Sequence, residues 1–195
     1  MSATAMDNVR SATPGQVRRS PSVPAHWPIR RHVAAAETTP AGPLHSVEVT
    51  VPAKTNLTLH VGPAHEEWGG RHALDTIYCA IGVNDVVTAT AKTPGSGFSL
   101  ELSGEHLGDL ASSGSDMRRN HAVLALFAIA RAAGREPDVA LHVDKHIPVG
   151  AGLGGGSADA AATLLAVNTL WGLHWPIERL RDIAATLGAD MQIGR

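Results

Sequence analysis

The chain of 195 residues has few aromatic residues, one cysteine and little net charge. Aromatic residues make up 4% of it, too few for a row of rings on which single-stranded nucleic acid could stack. The net charge of −2 gives no broad positive field, so a nucleic acid partner is not expected. Cys79 has no partner for an internal disulfide, which favours a reducing compartment. We therefore expect a cytoplasmic protein with this thiol packed in its core.

Long apolar runs are also missing. No uninterrupted apolar segment approaches the ~20 residues that a membrane-spanning helix requires. The apolar stretch from Ala158 to Trp171 is too short to span a bilayer, and its alanines predict close packing instead. No membrane partner is expected.

Metal-binding patterns are absent from the sequence as well. It contains neither the His-Glu-x-x-His pattern nor a pair of cysteines. His142 and His146 lie four apart on a predicted strand, where their side chains are too widely separated to share a metal easily. We expect no metal site built from protein side chains alone.

Composition divides the chain near residue 44. Residues 1–44 contain six prolines and five arginines and lack a sustained apolar period, which is typical of a disordered extension. The prolines and the absence of an amphipathic helix argue against a targeting peptide. Residues 45–195 are predicted to form the folded part.

The folded part alternates predicted strands with predicted helices. Period-two apolar patterns predict strands at 47–51, 57–61, 76–81, 86–91, 98–102 and 139–143. The segments 52–56, 62–70 and 82–85 are predicted as connections. Helices are predicted from Asn120 to Gly134, from Ser157 to about Trp171, and from Pro176 to Gly188, the last with a buried stripe that includes Ile177. This predicts an α/β fold in two layers (α+β), with helices packed on a mixed or antiparallel sheet.

The segment with the clearest chemistry is rich in glycine. Five glycines lie within the seven residues 150–156, a composition that suits neither a helix nor a strand. Such a loop is favourable where backbone amides must approach a ligand closely. An alanine-rich helix follows at once, and its free amides and positive dipole end point back at the loop. The arrangement predicts a binding site for phosphate.

Three other interpretations of the loop compete with this one. A Walker A loop requires Gly-Lys-Ser/Thr, and no lysine follows these glycines. The dinucleotide fingerprint Gly150-x-Gly152-x-x-Gly155 is present, but Pro148 interrupts the strand before it and residues 175–185 have a helical pattern. A glycine hinge that binds nothing is the third interpretation. The last two stay open on local sequence alone.

The loop resembles the phosphate loop of the GHMP kinases, a family of small-molecule kinases. Its matching residues are Pro148, Gly150, Ala151, Gly152, Leu153, Gly154, Gly155, Gly156 and Ser157, followed by Ala158. Four further motifs resemble the family in the same order. They are Pro52-Ala53-Lys54-Thr55-Asn56-Leu57, Gly70-Arg71-His72-Ala73-Leu74-Asp75-Thr76, Asp144-Lys145-His146-Ile147-Pro148 and Leu187-Gly188-Ala189-Asp190. The resemblance covers the folded part and excludes residues 1–44.

The resemblance implies the fold of a GHMP kinase N-terminal domain, which is ribosomal protein S5 domain 2-like. The longer string of glycines is similar to one branch of the family. That branch uses ATP and Mg²⁺ to phosphorylate the 2-hydroxyl of a small molecule, a cytidine-diphosphate-linked methylerythritol, in non-mevalonate isoprenoid biosynthesis. The alternatives are another GHMP kinase, acting on homoserine or mevalonate derivatives, an inactive nucleotide-binding fragment and, more distantly, a dinucleotide-dependent oxidoreductase.

The resemblance also implies roles for individual residues. Asp190 resembles the catalytic base, and Lys54 resembles the lysine that is paired with it. Residues 150–157 would bind the ATP phosphates, and the Ser157 hydroxyl would add a contact to phosphate or to Mg²⁺. Acceptor contacts are implied for Asn56, Arg71 and His72, and contacts near the nucleotide base for Asn120 and Lys145. Asp159 is expected to favour the helix dipole without facing the phosphates.

Two departures from the family pattern affect these expectations. Arg71 replaces a tyrosine that is expected to stack on cytosine, although a guanidinium also stacks flat on a base. Residues 191–195 do not resemble the Val-Pro-Phe continuation that leads into the family's second domain. We therefore expect a chain without the second domain, in which Asp190 is poorly held and catalysis is impaired.

Overall fold

This computed structural model describes residues 29–30, 43–105, 107 and 119–187. Most of the predicted extension lies outside these residues, and so do Gly188 and Asp190 of the last motif. The boundary near residue 44 stays a prediction. Ile29 and Arg30, which belong to the predicted extension, form a short strand β1 opposite Val49 and Glu48.

Five strands form one mixed sheet in the described part of the chain. The other strands are β2 (Ser46–His65), β3 (Arg71–Ala91), β4 (Ser99–Gly104) and β5 (Val139–Lys145). Their order across the sheet is β1-β2-β3-β5-β4. All neighbours are antiparallel except β4 and β5, which are parallel. The helices are α1 (His121–Ala133), α2 (Gly155–Leu170) and α3 (Ile177–Ala185). The predicted fold is confirmed.

The core lies between one face of the sheet and the helices. Alternate residues are buried in β5, in the first part of β2 and in the last part of β3, because successive side chains point to opposite faces. The buried strand residues include Val47, Val49, Val87, Val139 and Val143. Leu180 and Ala184 of α3 are buried as well, but Ile177 is 37% exposed, so its predicted place in the buried stripe is wrong. Ile177 is the first residue of α3.

β2 and β3 form one long antiparallel hairpin. The predicted break at 52–56 is wrong, because β2 continues through it to His65. The predicted break at 82–85 is wrong for β3 in the same way, and the predicted turn-rich loop shrinks to residues 66–70. The pairing has register shifts at Pro52/Ala53, Asn56/Thr58 and Val61/Ala64. These shifts accommodate Pro52 and Gly62 without ending the pairing.

The outer part of this hairpin is exposed. Leu57, Val61, Leu74 and Tyr78 are each more than half exposed, with values of 64%, 53%, 57% and 59%. Cys79 lies on this part and is only half-buried, so the prediction of a core thiol is wrong. The inner part of the hairpin therefore builds the core, and the outer part extends beyond it.

Candidate active site

The glycine loop connects the end of β5 to the start of α2. Gly150, Gly152 and Gly154 have φ values of 78°, 73° and 75°. This left-handed region is strained for residues that carry a Cβ atom, which explains glycine at these positions. Alternation of such residues along a loop turns backbone amides towards a common concave side.

The amides of this loop are available to a ligand. Among the described residues, no amide from Gly150 to Gly154 donates to a backbone carbonyl. Gly155 and Gly156 occupy the first turn of α2, where amides have no acceptor within the helix. The loop therefore presents hydrogen-bond donors next to the positive end of a helix dipole, the environment that phosphate favours.

Lys54 lies directly beside the loop. Its backbone amide donates to the carbonyl oxygen of Leu153 over 3.0 Å. A Cβ atom added to Gly154 would lie 3.0 Å from Cγ of Lys54, so the glycine permits this close approach. The predicted catalytic lysine and the predicted phosphate loop are thus adjacent.

A chain of hydrogen bonds fixes the Lys54 ammonium. Nζ donates to Oδ1 of Asn56 over 2.9 Å, and Nδ2 of Asn56 donates to Oγ1 of Thr76 over 2.7 Å. Nζ also lies 5.6 Å from the centroid of the Tyr78 ring, within cation–π range. Sequence reasoning gave no role to Thr76, although it ends a family motif, or to Tyr78. Both are found through their pairing with β2.

Arg71 and His72 lie at the turn end of the hairpin. They pair with His65 and Ala64, ten or more positions along β2 from Lys54. Nδ1 of His72 is 2.8 Å from the carbonyl oxygen of Gly62. Their positions along the hairpin are therefore well separated from that of Lys54, and their role in acceptor binding stays a prediction.

A buried ion-pair cluster lies beneath the loop. Lys145 is 2% exposed, and its Nζ donates to Oδ2 of Asp85 and, over 2.7 Å, to Oδ2 of Asp159. Oδ1 of Asp85 accepts from the amides of His146 and Ile147 over 2.6 and 2.8 Å. The cluster therefore ties β3, the start of the loop and α2 together. Asp85 was missed by sequence reasoning.

The position of Asp159 corrects the expectation that it serves the helix dipole and faces away from the site. It is 5% exposed and points inward to Lys145. Burial raises the pKa of the Asp159 carboxyl from 3.8 to about 7, against the opposing attraction of the Lys145 ammonium. The nearby Asp85 carboxylate also raises this pKa. With both carboxylates ionised, the cluster carries one negative charge in excess.

The start of α1 forms the opposite wall of the site. Oδ1 of Asn120 accepts from the amide of Ala122 over 2.9 Å, which confirms the predicted N-cap. His121 packs against Gly156, where a Cβ atom would overlap its Nδ1. A pocket of about 270 Å³ lies between the two walls. Its lining comprises Arg119, Asn120, His121, Lys145, Ile147, Pro148, Val149, Gly150, Ala151, Gly152, Leu153, Gly154, Gly155, Gly156 and Asp159.

The two predicted base contacts, Asn120 and Lys145, both line this pocket. The Asn120 side chain caps α1, and the Lys145 ammonium is held by two carboxylates. Both side chains therefore have structural partners already, and their contact with a nucleotide base stays a prediction.

The histidines of β5 take part in local hydrogen bonds. Nε2 of His142 is 2.9 Å from Oγ of Ser103, and Nε2 of His146 is 3.1 Å from Oδ2 of Asp144. Within the described ranges, no group of three or more His, Cys, Asp or Glu side chains is arranged to hold a metal ion. None of the described helices combines the length and apolar character that crossing a membrane requires.

Comparison with known proteins shows which family and relatives the chain is similar to. A family model for the GHMP kinases N terminal domain matches residues 120–195. The chain is 81% identical over 146 residues to 4-diphosphocytidyl-2-C-methyl-D-erythritol kinase of Bifidobacterium longum subsp. infantis. It is 76% identical over 148 residues to the protein of that name from Bifidobacterium adolescentis. Residues 120–195 thus match the GHMP kinase N-terminal domain.

These alignments cover part of each relative. They take in 75% and 76% of this chain but 46% and 48% of the two relatives. A crystal structure of 4-(cytidine 5'-diphospho)-2C-methyl-D-erythritol kinase matches with a TM-score of 0.57 and 34% identity, over 74% of this chain and 47% of that one. The chain thus spans about half the length of the curated relatives it matches.

Gly154 offers a direct test of the contact between the loop and Lys54. Gly154→Ala and Gly152→Ala both place alanine at a φ near 75°, with a similar strain of about 1 kcal/mol. A Cβ atom at Gly154 displaces Lys54, whereas one at Gly152 meets nothing within 4 Å. We expect Gly154→Ala to lower the free energy of unfolding by about 1–3 kcal/mol more than Gly152→Ala, because the added Cβ atom crowds the Lys54 side chain, as measured by urea unfolding. Equal losses would contradict the contact.

Proposed function

We propose that the protein transfers the γ-phosphoryl group of ATP to the 2-hydroxyl of 4-diphosphocytidyl-2-C-methyl-D-erythritol, in non-mevalonate isoprenoid precursor biosynthesis. The observation that carries the proposal is a glycine loop with available amides directly beside Lys54. The names of the relatives support the choice of acceptor. We also propose that the protein acts in the cytoplasm, in keeping with its single free cysteine.

The donor side of the proposed site is the glycine loop. Amides of Gly150–Gly156 would bind the phosphates of ATP, and the α2 dipole would favour their negative charge. Mg²⁺ bound to ATP would neutralise charge that develops during phosphoryl transfer. The Asp85–Lys145 pair holds the strand that enters the loop, so the amides are oriented before the nucleotide arrives.

The acceptor side of the proposed site begins at Lys54. Its ammonium, fixed by Asn56 and indirectly by Thr76, would attract the reacting oxygens without first having to be ordered. Asp190 is proposed as the base that takes the acceptor's proton; it lies beyond Leu187, outside the described residues. Asn56, Arg71 and His72 are proposed to contact the acceptor, with the Arg71 guanidinium stacking on cytosine.

A second candidate function is nucleotide binding without phosphoryl transfer. The observation that favours it is the glycine loop, whose available amides suffice to bind phosphate without a catalytic base. A further alternative is another small alcohol as acceptor, such as homoserine or mevalonate.

The assay that separates these candidates measures ADP release by the full chain. ATP and Mg²⁺ are supplied with each of the three alcohols in turn, and ATP binding is measured in parallel by calorimetry. We expect turnover with the cytidyl substrate that exceeds turnover with homoserine and mevalonate. ATP binding without turnover would favour the binding module, and preferred turnover of another alcohol would reassign the acceptor. Absence of ATP binding would refute the kinase proposal.

A further inference from the structure

Asp159 has one carboxylate oxygen without a partner. Oδ2 accepts from Lys145, but Oδ1 is buried and makes no hydrogen bond within the described part of the chain. A buried acceptor that is left unsatisfied is unfavourable by about 1–3 kcal/mol. Asp159 also lines the pocket between the glycine loop and α1. An orphaned oxygen at this place indicates a ligand that supplies positive charge.

The position of Asp159 on α2 places its carboxylate next to the first turn of the helix and the phosphate site. Residues three and four apart share a helix face, so Asp159 lies on the same face as Gly155 and Gly156. Helical side chains lean towards the N-terminus, which directs the carboxylate to the first turn. Both neighbours on that face are glycines, with the Lys145 ammonium beside Gly155 and the His121 ring beside Gly156, so Asp159 adjoins the pocket between these two walls.

The charges around Asp159 favour a cation. Both oxygens of Asp85 are already engaged, Oδ2 by Lys145 and Oδ1 by two backbone amides. Lys145 is therefore shared between two carboxylates, and Oδ1 of Asp159 is the oxygen of this pair that receives no hydrogen bond from the described residues. Mg²⁺ in nucleotide sites is held by one or two carboxylates together with phosphate oxygens and water, so a single protein oxygen suffices.

Ser157 is less well placed for this role. Residues two apart on a helix do not share a face, so Ser157 and Asp159 point in different directions. Of these two residues, only Asp159 belongs to the described lining of the pocket.

We propose that Oδ1 of Asp159 is the protein's ligand for the divalent cation that accompanies ATP, directly or through one water. This inference rests on the proposed use of ATP. It assigns to Asp159 a role in discriminating metal-bound from metal-free nucleotide. It also gives a function to an ionisable carboxylate that lies buried beneath the loop.

The test compares the affinity of the full chain for ATP with Mg²⁺ and with EDTA. Asp159→Asn keeps the shape of the side chain and an acceptor for Lys145, but removes the charge. Asp182→Asn, on the exposed surface of α3, is the control with the same change of charge. We expect the wild type and Asp182→Asn to bind Mg²⁺·ATP ~10–100-fold more tightly than metal-free ATP. Asp159→Asn should lose this preference while binding metal-free ATP at least as tightly as the wild type.

A spectroscopic readout supplements the binding data. The Mn²⁺ spectrum in the presence of ATP should broaden on adding wild type or Asp182→Asn, and broaden far less with Asp159→Asn. Retention of the Mg²⁺ preference by Asp159→Asn would overturn the inference and leave the kinase proposal intact. An equal loss of affinity for Mg²⁺·ATP and for metal-free ATP would show that Asp159 has only a structural role. That result would also overturn the inference. If the wild type binds neither form, the proposed function fails and this inference fails with it.

Discussion

Lys145→Met is expected to destabilise the domain by about 3–5 kcal/mol, because it leaves two buried carboxylates without their shared counter-ion. Methionine fills a similar volume, so the loss reports charge rather than a cavity. The free energy of unfolding at neutral pH, measured in urea, checks this value. Lys92→Met is the control: Lys92 makes one long hydrogen bond to the Ser96 carbonyl oxygen, and its loss should be below about 1 kcal/mol.

A second substitution tests the mechanism of this loss. Adding Asp159→Asn to Lys145→Met removes one of the two stranded carboxylates, whereas Asp85 keeps its two amide donors. The double variant should therefore be more stable than Lys145→Met alone, which is a coupling between contacting residues. If Lys145→Met is within 1 kcal/mol of the control, or if the second substitution gives no recovery, the cluster does not hold the loop as described here.

Lys54→Met is expected to lower kcat by about 10²–10³-fold, because it removes the fixed positive charge at the proposed site of phosphoryl transfer. The KM for ATP should change far less, since the loop amides that would bind the phosphates remain. Steady-state kinetics with ATP and the cytidyl substrate provides both parameters. Lys92→Met again serves as the matched control.

Lys54→Arg sharpens the interpretation of this experiment. Arginine keeps the charge, but its planar fork cannot reproduce the single contact of a compact ammonium with Oδ1 of Asn56. We expect an activity between those of the wild type and Lys54→Met. If the kcat of Lys54→Met is within twofold of the wild-type value, Lys54 takes no part in the reaction. The glycine loop would then be a binding element only.

Local signals in the sequence predicted the parts of the site that depend on neighbouring residues. The loop at 150–154, the Asn120 cap and the C-terminal glycine of α1 were predicted correctly, since each follows from backbone geometry within a few residues. The predicted start of α2 at Ser157 is wrong by two residues, because the helix begins at Gly155. Lys54 was identified from its family motif rather than from local pattern, and its proximity to the loop is a finding of the structure.

The rest of the site depends on contacts that are distant in sequence. Asp85 meets Lys145 across 60 positions, and the register of β3 against β5 decides that meeting. The continuous hairpin was missed because Pro52 and Gly82 are usually strand breakers, whereas the pairing of β2 with β3 outweighs them. The inward position of Asp159 was missed because its partner, Lys145, had been given another role.

Amide chemical shifts of the ¹⁵N-labelled chain during titration with Mg²⁺·ATP test most directly whether the glycine loop is a phosphate site. The account predicts saturable shifts for the amides of Gly150, Gly152 and Gly154–Gly156, and no such shifts with adenosine, which lacks phosphate. Unchanged loop amides at saturating ATP, or equal shifts with adenosine, would contradict it.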